Sequence, residues 1–262
     1  MFPTEFEFNL EQTRHAFRDK LQRAWERSLI PVLSDERLCG SPHSGGYDSV
    51  MIAERLAKVF PEAQILIVIR EQKNAIYSLY QQYIRDGGAA TLKNYLTPRN
   101  PAEIPQFRFS HLEYHHLVQY YFKLFGRSNV LVLPYEWLSK NPEKFTAQIT
   151  EFSGAGNEIK IPQTAERYTS LTAFTIGLKR QANRFLVRNS LNPAGNLHLK
   201  HHEKHFQNVN RFIPAFFSKR LEKRQRSYIA KRVRNRYAFS NRETQKLIKA
   251  ELEKLGYDTL GE

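Results

Sequence analysis

Residues 65–70 read ILIVIR, five aliphatic side chains closed by an arginine, and nothing else in the chain restricts its fold as strongly. Four of the five are β-branched, which favours extended backbone, and an apolar run without alternation suits a strand buried in a parallel sheet. A similar run, NVLVLPY at 129–135, and a shorter one, SLIPVLS at 28–34, are expected to be the sheet's other strands. Between these runs the spacing turns helical. Residues 11–27 place Ala16, Phe17, Leu21, Ala24 and Trp25 on one face, residues 53–59 run up to Pro61, and YHHLVQYYFKLFG at 114–126 has the spacing of a core helix. Strands alternating with helices predict an α/β fold, a parallel sheet flanked by helices. Beyond Ile161 the strand signals stop, so the C-terminal part is expected to be mostly helical, with NSLNPAGN at 189–196 as a loop. The expected organisation is a single domain over 1–262 with a basic, mainly helical insertion at 179–236.

Composition narrows compartment and ligand. Cys39 is the sole cysteine, so no intrachain disulfide can form. No apolar run approaches the roughly 20 residues that span a bilayer, and the first thirty residues have no secretory pattern. A soluble, cytoplasmic protein is expected. The net charge of +14 falls within residues 179–236, where sixteen Lys and Arg face only Glu203 and Glu222. Such a segment suits a polyanion, an anionic membrane surface or a charged small ligand, and equally a solvated helical face.

The arginine at the end of ILIVIR has a physical reading. In an open parallel sheet, ligands bind beyond the carboxyl ends of the strands. The guanidinium of Arg70 suits bidentate contact with a phosphate or carboxylate, and Ser78, early in the helix expected next, could add a hydroxyl to the same oxyanion. The plain alternative is that Arg70 pairs with Glu71 and Ser78 faces water.

An apolar strand ending in Arg, a Ser eight positions later beside an aromatic, and a second strand running into Tyr-Glu-x-Leu together resemble the sulfotransferases that use 3′-phosphoadenosine 5′-phosphosulfate. The resemblance covers roughly residues 30–154 and the last twenty. It implies the family's P-loop-like sulfotransferase fold and assigns IREQKNAIYSLY to the 3′-phosphate segment, so that Arg70 and Ser78 hold the donor's 3′-phosphate and Tyr135 lies near its adenine. FSNRETQKLIKAELEKLGYD, at 239–258, is similar to the terminal helix and Gly-Tyr closure of bacterial members. The family's opening Gly-x-x-Lys/Arg-Ser-Gly-Thr-Thr loop, which cradles the 5′-phosphosulfate, has no counterpart here. GSPHSGG at 40–46 is superficially like it, and is read as an acceptor-side loop with a displaced phosphate loop as the alternative. The expectation is either that the sequence begins at an internal Met, past that first strand and loop, or that this is a paralogue that has lost them.

Sulfuryl transfer needs a base for the acceptor hydroxyl. The resemblance implies Glu36, in VLSDERL, as that catalytic residue, with Asp35 and His43 as rivals; the plain reading is that both carboxylates cap the next turn. The implied acceptor is a hydroxyl of a glycan or glycolipid, with an anionic membrane surface as a further partner and the protein peripheral there; nucleic acid is not favoured. His198, His201, His202 and His205 are spaced for one helical face, but without Cys or an acidic pair beside them no metal is expected. Lys219, Arg220, Lys223, Arg224 and Arg226 are expected to form one basic face, separate from the site at Arg70. The competing function is a non-catalytic basic module on a sulfotransferase-like core, binding anionic glycan, membrane or nucleic acid. The sequence names neither the acceptor nor the oligomeric state.

Overall fold

The computed structural model describes residues 6–97, 106–156, 171–186, 191–192, 206 and 215–260. Its centre is a pair of parallel strands, β1 (Ile65–Ile69) and β2 (Val130–Pro134), paired in register from Ile65 with Val130 to Ile69 with Pro134. Parallel neighbours need a crossover, and here it runs through α3 (Gln72–Arg85), α4 (Leu92–Leu96) and α5 (Tyr114–Phe125). The α/β expectation holds, with helices packed around a parallel sheet.

Two corrections concern the sheet. Residues 28–34 form no strand; Leu29, Ile30, Val32 and Leu33 are all exposed, Val32 at 82%. Ser28 has turned into the left-handed region (φ 52°) after the first helix, and Pro31 has no N–H to give a ladder. An apolar run becomes a strand only where a neighbour accepts its hydrogen bonds, and none of the described elements does so. The second correction is that β1 is half-buried rather than buried: Ile65, Ile67 and Ile69 point into the core, while Leu66 and Val68 stay 42% and 46% exposed.

The helices follow their sequence signals closely. Ahead of the sheet lie α1 (Leu10–Glu26) and α2 (Ser49–Val59). Asn9 caps α1 by accepting from the Gln12 amide, and Phe17 meets Phe60 edge to face. Tyr114, Val118, Tyr121 and Phe125 of α5, at i, i+4, i+7 and i+11, face the core and cover the sheet. After β2 come α6 (Tyr135–Lys140) and α7 (Pro142–Ser153), then α8 (Ala173–Leu186), α9 (Ala215–Val233) and α10 (Ala238–Ile248). Helices α3, α8 and α9 pack on one another, and α10 packs on α5. The described C-terminal part is helical, as expected. The histidine-rich stretch 198–205 and most of 189–196 lie outside the described residues. No helix among the described residues is long and apolar enough to cross a membrane.

Candidate functional site

The carboxyl ends of β1 and β2 lie side by side, so the residues that follow them meet. Arg70 follows β1 and Tyr135 follows β2, and the guanidinium carbon of Arg70 stands 4.8 Å from the centre of the Tyr135 ring. A cation stacked on an aromatic face keeps its in-plane N–H groups free for a planar anion. No carboxylate lies within ion-pair distance of Arg70 among the described residues, so the pairing with Glu71 does not occur.

Glu71 has a different task. Its carboxylate accepts from the Lys73 and Asn74 amides, both at 2.9 Å, and from the Asn74 side chain at 2.7 Å, which caps α3. The helix end thus already holds an anion, and a second one must be recognised by side chains further along α3. Glu136 fixes the turn from the other side. One of its oxygens accepts from the Glu71 amide at 2.9 Å and the other from the Tyr257 hydroxyl at 2.9 Å. Tyr114 donates to the Arg70 carbonyl at 2.6 Å. Burial, reinforced by nearby carboxylates, pushes both phenols well above their usual range, so each stays a donor. Asn241 bonds the Asp258 carbonyl and the Gln72 side chain, and Lys73 bonds Asp258 at 2.8 Å, so the C-terminal closure at Gly256 and Tyr257 is locked against the first turn of α3. Arg70 therefore leaves a backbone held from three directions.

Ser78 is exposed on α3, with no partner among the described residues. Helical spacing puts Asn74 and Ser78 on one stripe of α3, the helix whose cap Arg70 precedes. Against that stripe rests a residue assigned in the sequence only to a detached basic face. Arg226 of α9 donates to Asn74 Oδ1 at 2.7 Å, lies 4.3 Å from the centre of the Tyr77 ring and pairs with Glu222 at 2.7 Å. Arg226 thus ties the basic helix to the first turns of α3, the helix that follows Arg70. Lys219, Arg220, Lys223 and Arg224 do stay exposed, as expected of a solvated face.

The other sequence candidates occupy the segment before α2. Glu36 opens a short 3-10 turn, Glu36–Cys39, and is exposed; its carbonyl accepts from the Cys39 thiol at 3.2 Å, and its carboxylate has no partner among the described residues. Asp35 caps that turn through the Arg37 amide at 2.8 Å, so the capping role belongs to Asp35 and leaves Glu36 free. The turn is tied inward by the Tyr121 hydroxyl on Leu38 O at 2.9 Å and the Ser49 hydroxyl on Cys39 O at 2.8 Å. His43 is committed elsewhere, 3.2 Å from the Tyr95 hydroxyl and 3.6 Å from Asp86.

The stretch 40–46 is no anion cradle. The amides of Gly40, Ser44, Gly45 and Gly46 all donate to carbonyls of residues 37–42, and the Ser41 amide donates to the Asp48 side chain. A phosphate loop requires those N–H groups to point at the ligand. The described residues supply no other glycine-rich loop between a strand and a helix, and no cluster of His, Cys, Asp and Glu able to hold a metal ion.

Residues 46–156 match the family model described as Sulfotransferase family. That segment contains Arg70, Ser78, Tyr135 and Glu136, whereas Glu36 and Arg226 lie outside it. Among solved structures, a sulfotransferase from Alicyclobacillus acidocaldarius is similar at 18% identity, covering 62% of this chain and 68% of that one, with a TM-score of 0.42. No curated protein matches the chain.

Proposed function

We propose, from the premise that residues 46–156 belong to the sulfotransferase family, that this protein binds 3′-phosphoadenosine 5′-phosphosulfate at the strand ends and transfers its sulfuryl group to a hydroxyl of a glycan or glycolipid. The observation that carries the reading is the Arg70 guanidinium, stacked on Tyr135 and free of any carboxylate among the described residues. Arg70 and Ser78 hold the donor's 3′-phosphate, Arg226 adds a second guanidinium beside them, and the exposed ring of Tyr135 borders the adenine. These groups fit a phosphate monoester: the guanidinium fork of Arg70 and the Ser78 hydroxyl face it, Arg226, whose Nε and Nη1 are bonded to Glu222 and Asn74, offers its remaining nitrogen, and Glu71 already closes the helix end against a misplaced anion. When bound, the donor supplies an activated sulfuryl group and a stable bisphosphate leaving group. The chain's own part is to orient it and to take the acceptor's proton. Glu36, exposed and uncommitted, receives that proton as the hydroxyl oxygen bonds to sulfur.

One observation favours a second reading, nucleotide and polyanion binding without transfer. The amides of Gly40, Ser41, Ser44, Gly45 and Gly46 are all bonded to residues 37–48, which leaves the transfer reading without a loop for the donor's 5′ end among the described residues. Incubation of the purified protein with radiolabelled phosphosulfate donor and a mixed glycan and glycolipid fraction separates the two. Label moving to acceptor at a rate that falls in Glu36→Gln supports transfer, and tight nucleotide binding without any transfer supports the second reading.

A further inference from the structure

A depression lined by none of Arg70, Ser78 and Tyr135 lies elsewhere on the described surface. A cleft of about 490 Å³ lies between the Gly45 and Gly46 turn with the start of α2 on one side and residues 110–123 on the other. Both glycines have positive φ, +68° and +66°, and a side chain at either would collide with the neighbouring wall, Arg108 for Gly45 and His111 for Gly46. The turn can therefore sit against 108–111 only as glycine, and the cleft is what remains in front of that contact.

Its polar lining is mixed. The Ser110 hydroxyl donates or accepts, the Ser49 hydroxyl, whose proton goes to Cys39 O, can still accept, Gln119 does both through its amide, and Glu113 accepts while pairing with His116 at 3.6 Å. Burial, with His43 adding to it, holds the His111 imidazole below its usual range, against the opposing pull of Asp48. The neutral ring offers one donor and one acceptor. Apolar surface comes from Val50 and Leu117. No guanidinium group lines it, and its two permanently charged residues, Glu113 and Lys123, are of opposite sign, so the lining carries no net excess of charge to select an anion. This mix fits vicinal hydroxyls on a ring, each of which must both give and receive a hydrogen bond, with an aliphatic wall for the ring's C–H face.

The position is equally specific. Ser49 lines the cleft and its hydroxyl donates to Cys39 O, in the same four-residue turn that Glu36 opens. On the other side, Tyr114, one residue beyond Glu113, donates to the Arg70 carbonyl. The cleft therefore neighbours both the turn of the free carboxylate and the backbone of the nucleotide site. We propose that this cleft is the acceptor subsite and takes an uncharged sugar ring, Ser49, Ser110, Glu113 and Gln119 reading its hydroxyls while one hydroxyl reaches Glu36. The inference rests on the sulfotransferase reading for its link to Glu36, and names the acceptor class that the reading leaves open. A charged acceptor would be drawn instead to the exposed lysines and arginines of α9.

The test measures binding of a panel of neutral and of sulfated or uronate-bearing oligosaccharides by titration calorimetry, with adenosine 3′,5′-bisphosphate as a separate titrant. Val50, which lines the cleft and is 54% exposed, becomes Trp to fill it, and Gln119→Trp does the same from α5. The inference expects neutral oligosaccharides to bind the unaltered protein and to lose at least tenfold in both variants, with bisphosphate affinity unchanged. It is overturned if no neutral oligosaccharide binds, if both variants bind as before, or if only anionic oligosaccharides bind and Lys219→Glu with Lys223→Glu abolishes that. Failure of the bisphosphate to bind would instead overturn the donor site, and cleft-dependent sugar binding would still stand.

Discussion

Arg226 and its neighbours Lys219, Arg220, Lys223 and Arg224 belong to one basic helix, yet the fold treats them in opposite ways. The four neighbours end in solvent. Arg226 is fixed by three groups, Asn74, Tyr77 and Glu222, two of them on the helix that follows Arg70. Exposed cations act at long range and are screened within a Debye length of about 10 Å at 0.1 M salt, whereas a guanidinium held in place can make directed bonds that salt hardly weakens. A count of positive charge along the sequence does not distinguish the two roles. What each side chain rests against does.

The largest effect that would sharpen this contrast lies in neither cation. Glu36→Gln keeps the shape of the side chain and removes its basicity, so sulfuryl transfer should fall roughly 100-fold or more with bisphosphate affinity nearly unchanged. An unaltered rate would move the base to another residue and detach the 36–39 turn from the chemistry. Next comes Arg226→Ala, which should weaken bisphosphate binding roughly tenfold, with little change between 50 and 300 mM salt. Reversing Lys219, Arg220, Lys223 and Arg224 to Glu together should act only through a salt-sensitive, long-range contribution that fades at 300 mM. If the two variants behave alike by isothermal titration across that salt range, the division within the helix is wrong.

A smaller effect is expected where the C-terminal closure grips the site. Tyr257→Phe removes the hydroxyl that donates to Glu136, leaving one carboxylate oxygen without that bond. Unfolding in urea should show a loss of about 1 to 2 kcal/mol, and bisphosphate affinity should drop less than in Arg226→Ala, since Tyr257 reaches Arg70 only through Glu136 and the Glu71 amide.

The smallest effect is one of pH. Burial lowers the pKa of both His111 and His115 from 6.5, and His116 also disfavours charge on His115. The unfolded chain therefore binds more protons than the native one as pH falls through 6.5, and the stability these residues contribute is complete above that pH and lost below it. Melting temperature should decline between pH 7 and 5. The His111→Gln and His115→Gln proteins should each show a shallower decline, and an identical slope in both would remove the histidines from the account.

Much of the architecture was legible because it is local. β1 and β2, the core face of α5 and the Gly-Tyr closure all coincide with runs or spacings visible in the sequence. Arg70 and Tyr135 could be placed together because both follow strands of one parallel sheet, whose carboxyl ends must coincide. Residues 28–34 misled because apolar content makes a strand only when a neighbouring strand supplies bonding partners, and Pro31 and the turn at Ser28 weigh against it. Arg226 was missed for a related reason: it meets Asn74 across 152 residues of chain, and no spacing rule spans that distance. The one available hint was Glu222 four residues earlier, a pairing that restrains one arginine among many.

The central claim is that Arg70, held free of carboxylates at the strand end, reads a 3′-phosphate. Its most direct test is calorimetric titration of the protein with adenosine 3′,5′-bisphosphate and with adenosine 5′-monophosphate, repeated with Arg70→Ala. The account predicts that the bisphosphate binds more tightly and that Arg70→Ala removes about 1.5 to 3 kcal/mol of that preference, the value of a charge-assisted bidentate contact. Equal affinities for the two nucleotides, or a preference that survives Arg70→Ala, would contradict it.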